Sequence, residues 1–253
     1  MNEPRYNAGA IDASACISNG WELIKPNYWM YFGITILTML MVSCIPCVNF
    51  FIAGPVMGGL YFVFLRDMRG EPVDFGMMFK GFEKFLPLMI VGIVQSVPEI
   101  IAQILRITVD LGRLGLMGNS ESSNAGFAMA SGMMVLVALA IFVFVIIGVV
   151  WRVLLIFAIP LVMEHNLNPV AAMKLSAQAA MSNLGGLILL FILEFLIGML
   201  GVIMLCVGIF FVMPILYAAN AFAYRQVFPM VENIFQNIPP PPDTYDGNFG
   251  RGM

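Results

Sequence analysis

A chain of 253 residues that is 60% hydrophobic, only 11% charged and of mean hydropathy +0.92 is not a soluble enzyme domain, in which about a quarter of residues carry charge. Its net charge of −3, with no clustered Lys or Arg, excludes a nucleic-acid surface and offers no polybasic patch to strongly anionic lipid. Four cysteines are too few for a disulfide scaffold, and with His165 as the single histidine no zinc set and no cofactor are expected.

Residues 1–10 are polar, with no basic segment leading into an apolar one, so they read as a tail and not as a cleaved signal. From about Ile11 to Ile24, Ala13, Ile17, Trp21 and Ile24 recur at helical spacing and predict an interfacial helix ending at Lys25-Pro26. Tyr28 to Val42 predicts a first span, Pro46 and Asn49 a tight turn, and Phe50 to Leu65 a second span. Arg66, Asp67, Arg69, Gly70, Glu71 and Pro72 then mark a membrane exit. Asp74 is placed to cap a short surface helix with Phe75, Phe79, Phe82 and Leu86 on one face.

A third span is expected from about Phe85 to Leu105. It contains Pro98 and carries Gln95, Glu99, Gln103 and Arg106 as one polar stripe. Asp110 to Gly126 reads as an exposed loop. The apolar run from Phe127 to Met163 has Arg152 as its one formal charge. As a single helix it would be about 55 Å long, so it is expected to be tilted, bent at Pro160 or projecting beyond the bilayer. Asn168-Pro169 predicts the start of a third interfacial helix, and Leu184 to Tyr224 two further spans. Pro239 to Pro242 fall in an extended tail.

The expected fold is therefore an all-α membrane protein with six transmembrane helices and three cytoplasmic interfacial helices over residues 11–226, followed by a disordered cytoplasmic Pro-rich tail over 227–253. A weak two-fold internal repeat is expected because one spacing relates Cys47 to Cys206, Val48 to Val207, Phe51 to Phe210, Pro55 to Pro214 and Arg66 to Arg225. With six crossings, Arg5, Lys25, Arg66, Arg69, Lys80, Lys84, Lys174, Arg225 and Arg251 share one side, against Arg106 and Arg113 on the other. By the positive-inside rule both termini are then cytoplasmic.

The segments GPVMGGLYFVFLRDMRGEPVDFGMMFKGF and WRVLLIFAIPLVMEHNLNPVAAMKLSAQAAMSNLGG resemble a group of bacterial six-span membrane proteins of unassigned function. That group is similar to the membrane domain fused to some glycerophosphodiester phosphodiesterases. The resemblance rests on Arg69-Gly70, Asp74-Phe75, Phe79 to Phe82, Arg152, Pro160, Glu164 and Ser176. It implies a bacterial cytoplasmic (inner) membrane setting and, since no phosphodiesterase domain accompanies it, no enzymatic activity.

Two kinds of candidate site stand out. Charges deep in a bilayer must find partners, and equal depth by helical rise pairs Arg152 with Glu194, with Glu99 as the alternative or additional partner. Gln95, Gln103 and Arg106 either line a vestibule with Glu99 or pack at the interface. Cys44 and Cys47 have the spacing of a thiol-disulfide centre, with Cys206 at the equivalent place of the second unit. At Glu164-His165 a solvated His165 is expected. Three functions fit: an accessory or assembly subunit acting through other membrane proteins, lipid or a second copy; a small transporter or lipid-handling protein with a midplane polar site; or a thiol-disulfide carrier.

Overall fold

A computed structural model describes residues 4–43, 49–117, 124–204 and 207–230, with side chains described outside 108–138. Among the described residues the chain is helical throughout, with no strand: α1 (Ala13–Ile24), α2 (Tyr28–Ser43), α3 (Asn49–Asp67), a 3-10 helix (Phe75–Lys84), α4 (Phe85–Met117), α5 (Asn124–Leu154), α6 (Ala158–His165), α7 (Pro169–Ser182), α8 (Leu184–Ile203) and α9 (Val207–Val227). Five segments are long and apolar enough to cross a bilayer: Asn49–Asp67, Phe75–Ile107, Leu139–His165, Leu184–Ile203 and Val207–Val227. The described part of helix α2 is 16 residues, against the roughly 20 a spanning helix needs, and residues 44–48 after it lie outside the described residues.

The short helices start where the sequence supplies an acceptor for orphan N–H groups. The Asp12 carboxylate accepts from the N–H groups of Ser14 (3.0 Å) and Ala15 (3.1 Å) at the start of α1, and these bonds hold it below the usual carboxylate range. The Asn168 side chain accepts from Val170 N–H (3.2 Å), with Pro169 at the first position of α7. Asp74 accepts from Gly76 N–H (2.6 Å). The helix that Asp74 caps is 3-10 rather than α, so its period of three puts Met78 and Gly81 on the buried face and leaves Phe79 exposed, while Phe75, at its first position, is exposed as well.

Three short helices close the bundle at one end. The 3-10 helix packs on α3, α7 on α6, and α1 on α9, which brings the first helix against the last. Among the described residues most of the large buried side chains lie toward this end. Buried residues there include Tyr31 and Ile34 near the start of α2, Leu60 and Phe64 in the second half of α3, Leu88 at the start of α4, Leu161 in α6, and Ala219 and Tyr224 late in α9. Elsewhere the spans are apolar but uncovered: Leu139, Ile141, Phe142, Val149 and Val150 of α5, and Phe195, Leu200 and Ile203 of α8, are all exposed. Such surface is suited to lipid rather than water. The N-terminal residues are pinned to the packed end, where Asn7 N–H donates to Val227 O (2.9 Å) and Ala10 N–H to the Asn183 side chain (2.8 Å).

Two expectations change. The region from Asp110 was expected to be loop, yet α4 continues to Met117, and α5 begins at Asn124. Once a helix is nucleated, each added residue gains a backbone bond, and that outweighs the weak turn preference of isolated Gly residues. The run from Phe127 to Met163 is not one helix either. It breaks at residues 155–157, ahead of Pro160, because that proline has no N–H for the carbonyl of Ile156 and its ring crowds that carbonyl.

Glycines permit the tightest approaches. A Cβ on Gly59 would lie 1.6 Å from the Met78 carbonyl oxygen, whereas one on Gly198 would meet nothing within 4 Å. Gly59→Ala should therefore lower stability by about 1–3 kcal/mol, through forced separation of α3 from the 3-10 helix. Gly198→Ala should be neutral or slightly stabilising, and thermal unfolding of the two variants in detergent checks the contrast.

Candidate functional site

Arg152 stands at the centre of the apolar segment Leu139–His165, and Glu194 at the middle of α8 (Leu184–Ile203), so both sit midway along candidate spans. Around them the structure assembles polar groups from α3, α4, α5, α8 and α9.

Prolines organise the middle of the bundle. Pro98 in α4 can donate nothing to the carbonyl of Val94, and that oxygen instead accepts from the indole N–H of Trp151 (2.9 Å). At the break between α5 and α6, the Gln95 side-chain amide donates to Leu155 O (2.7 Å). The Ser176 hydroxyl donates to Leu154 O (2.8 Å) and accepts from Phe157 N–H (3.1 Å). Side chains from α4 and α7 thus supply the bonds that the interrupted helix lacks, as irregular backbone at membrane depth requires.

These contacts border a cavity of about 230 Å³ whose lining includes Gln95, Ser96, Glu99, Arg152, Tyr61 and Tyr217. Within it Arg152 Nη1 lies 3.5 Å from Glu99 Oε1, and the two side chains keep 72% and 63% of their surface accessible. The cavity is therefore not sealed. Gln95 and Glu99 border it, whereas Gln103 and Arg106 lie further along α4 on exposed surface outside the lining. The polar stripe is split.

The pairing of Arg152 with Glu194 is corrected. Glu194 is within Coulombic reach of Arg152, but its carboxylate accepts from the Asn220 side-chain amide (2.7 Å) on the neighbouring helix α9. The remaining oxygen of that amide, Asn220 Oδ1, is buried and unpartnered among the described residues. Depth along a helix does not fix azimuth. The bonds from Trp151 and Gln95 turn Arg152 toward α4, and the hairpin of α8 and α9 gives Glu194 a nearer partner. Tyr61, Tyr217, Ser96 and Asn220 were missed in sequence, where a lone Tyr, Ser or Asn in an apolar run carries no signal of its own.

A second polar cluster lies at the packed end. At Glu164-His165 a solvated His165 was expected, yet that side chain is 24% exposed, and Glu164, only 16% exposed, accepts from Arg225 Nη2 (2.8 Å) and the Tyr224 hydroxyl (2.8 Å). Arg69 Nη1 approaches it at 3.4 Å. Glu71, half-exposed, pairs with Arg69 and Arg66 and is held below the usual carboxylate range, first by its hydrogen bond from Arg69. One carboxylate at the end of α6 therefore ties α9 to the loop after α3.

Cys44, Cys47 and Cys206 lie outside the described residues. Cys16 is a buried free thiol that donates to the Gln226 side chain (3.3 Å), and burial, helped by the charge of Asp12, pushes its pKa up to about 12. It is a packing residue, not a nucleophile. Among the described residues no three His, Cys, Asp or Glu side chains converge as metal ligands. No protein family, curated protein or solved structure matches the chain.

Ser176→Ala strips bonds from both Leu154 and Phe157 and should cost about 1–3 kcal/mol in unfolding free energy, while Ser182→Ala, at an exposed hydroxyl, should change little. Glu164→Gln removes the charge opposite Arg225, which is only 11% exposed, and should cost about 3–5 kcal/mol. Glu71→Gln, at an exposed pair, should cost about 1 kcal/mol or less in the same denaturation assay.

Proposed function

We propose that this chain is a non-enzymatic, polytopic membrane protein that binds a small polar solute or lipid headgroup in its mid-bilayer cavity. The carrying observation is that cavity. An Arg–Glu pair, two tyrosines, a glutamine and a serine border one open space at membrane depth, where a merely structural ion pair would be enclosed and dry. Such groups mark pathways for polar cargo in membrane proteins, and the broken helix beside them is the kind of element on which transport sites are built.

In this reading α2 is the sixth crossing, and the membrane is the bacterial cytoplasmic membrane. Both termini, α1, the 3-10 helix and α7 lie on the cytoplasmic side, where the basic residues concentrate. The repeat is supported by matching boundaries: α1 and α7 follow the caps Asp12 and Asn168, and α2 and α8 begin after Asn27 and Asn183 at the same spacing. The packing of each short helix onto the span before it, with α1 closing on α9, extends that pattern to the central pair of spans.

A second reading, an accessory or assembly subunit, draws on the uncovered apolar surfaces of α5 and α8, which a neighbouring membrane protein or a second copy would cover. The two readings separate on the wetness of the cavity. In a variant whose native cysteines are replaced, Ser96→Cys should react with a small membrane-impermeant thiosulfonate, and Leu88→Cys, in the sealed core, should not. Equal protection at both positions would describe a dry bundle and favour the accessory role.

A further inference from the structure

The cavity lining carries one formal cation and one formal anion among its described residues, Arg152 and Glu99, and neither is saturated. Their single ion-pair contact, 3.5 Å between Arg152 Nη1 and Glu99 Oε1, leaves most of the guanidinium donors and carboxylate lone pairs unused. Lipid tails cannot fill those positions, so they fall to water or to a ligand.

We infer that the cavity takes a zwitterion, with an anionic group on Arg152 and an ammonium on Glu99, either as a small solute or as the headgroup of a zwitterionic phospholipid. This rests on the reading of the cavity as a ligand site. A lone anion would gain Arg152 but face Glu99, and a lone cation would gain Glu99 but face Arg152. A zwitterion places each charge next to its opposite and keeps the site neutral. The planar guanidinium suits a carboxylate or phosphate, which it can hold through two parallel bonds. Tyr61 and Tyr217, which also line the space, add hydroxyls and aromatic surface of the kind that accommodates an ammonium. A volume of about 230 Å³ lies below the roughly 300–1,000 Å³ of drug-sized pockets and, at about 30 Å³ per water-sized group, admits a solute of roughly eight non-hydrogen atoms.

The full chain, purified in detergent and depleted of lipid, is tested by its unfolding temperature. The soluble probes are phosphoethanolamine and glycine betaine, the lipid probe is dihexanoyl phosphatidylethanolamine, and acetate, inorganic phosphate and methylammonium are the single-charge controls. A zwitterion at saturating concentration should raise Tm by about 2 °C or more, and the controls should not. A shift with the lipid alone assigns a headgroup, and a shift with the soluble probes assigns a solute. Arg152→Gln and Glu99→Gln should each abolish it. Should those variants fail to fold, Ala53→Leu, which fills the cavity and keeps both charges, should abolish it instead. The inference is overturned if no zwitterion shifts Tm, if single-charge ions shift it equally, or if Ala53→Leu still responds. Labelling of Ser96→Cys without any zwitterion response would overturn this inference alone and leave the open-cavity reading standing.

Discussion

The structure depends on one constraint: a backbone carbonyl released at mid-bilayer depth has no water to bond and must be answered by protein. Pro98 leaves Val94 without its helical donor, and Trp151 supplies one. The break ahead of Pro160 loosens Leu154, Leu155 and Phe157, and Gln95 and Ser176 answer them. Each unmet group would cost about 1–3 kcal/mol, comparable with a good side-chain packing contact, so these bonds decide how α4, α5 and α7 meet. The cavity lies beside that joint, with Gln95 and Ile156 in its lining.

Charge is used in two ways in the same fold. At the packed end, Glu164 is enclosed and satisfied by Arg225, Tyr224 and Arg69, the arrangement in which losing one partner strands the others. At mid-depth, Arg152 and Glu99 touch loosely in an open space, where the contact itself contributes little to stability. Burial and saturation, rather than the presence of opposite charges, separate a structural ion pair from one available to a ligand.

Much of the architecture was legible in the chain. Apolar runs marked the spans, and Asp12, Asp74 and Asn168-Pro169 marked where short helices begin, because these signals act within a few residues of themselves. Glu99 and Arg152 stood out because charge at membrane depth is costly wherever it points. What the sequence concealed was azimuth and neighbourhood. Equal depth suggested Glu194 for Arg152, and only the contacts of Trp151 and Gln95 with α4 and α6 turn the arginine elsewhere. Glu164 looked like a residue at a membrane exit, since its partners, Arg69 and Arg225, are distant in the chain. Pro160 signalled a disturbance, but its effect falls several residues earlier, on the carbonyl it cannot serve.

The one-sided core has a mechanical meaning. Most of the large buried side chains gather toward the end closed by α1, the 3-10 helix and α7, while much of the described surface of α5 and α8 is apolar and exposed. A bilayer thinner or thicker than these segments can be met by tilting them, without disturbing the packed half. Any cost of hydrophobic mismatch with the bilayer therefore falls first on the half with fewer buried contacts, where the apolar surface meets lipid directly.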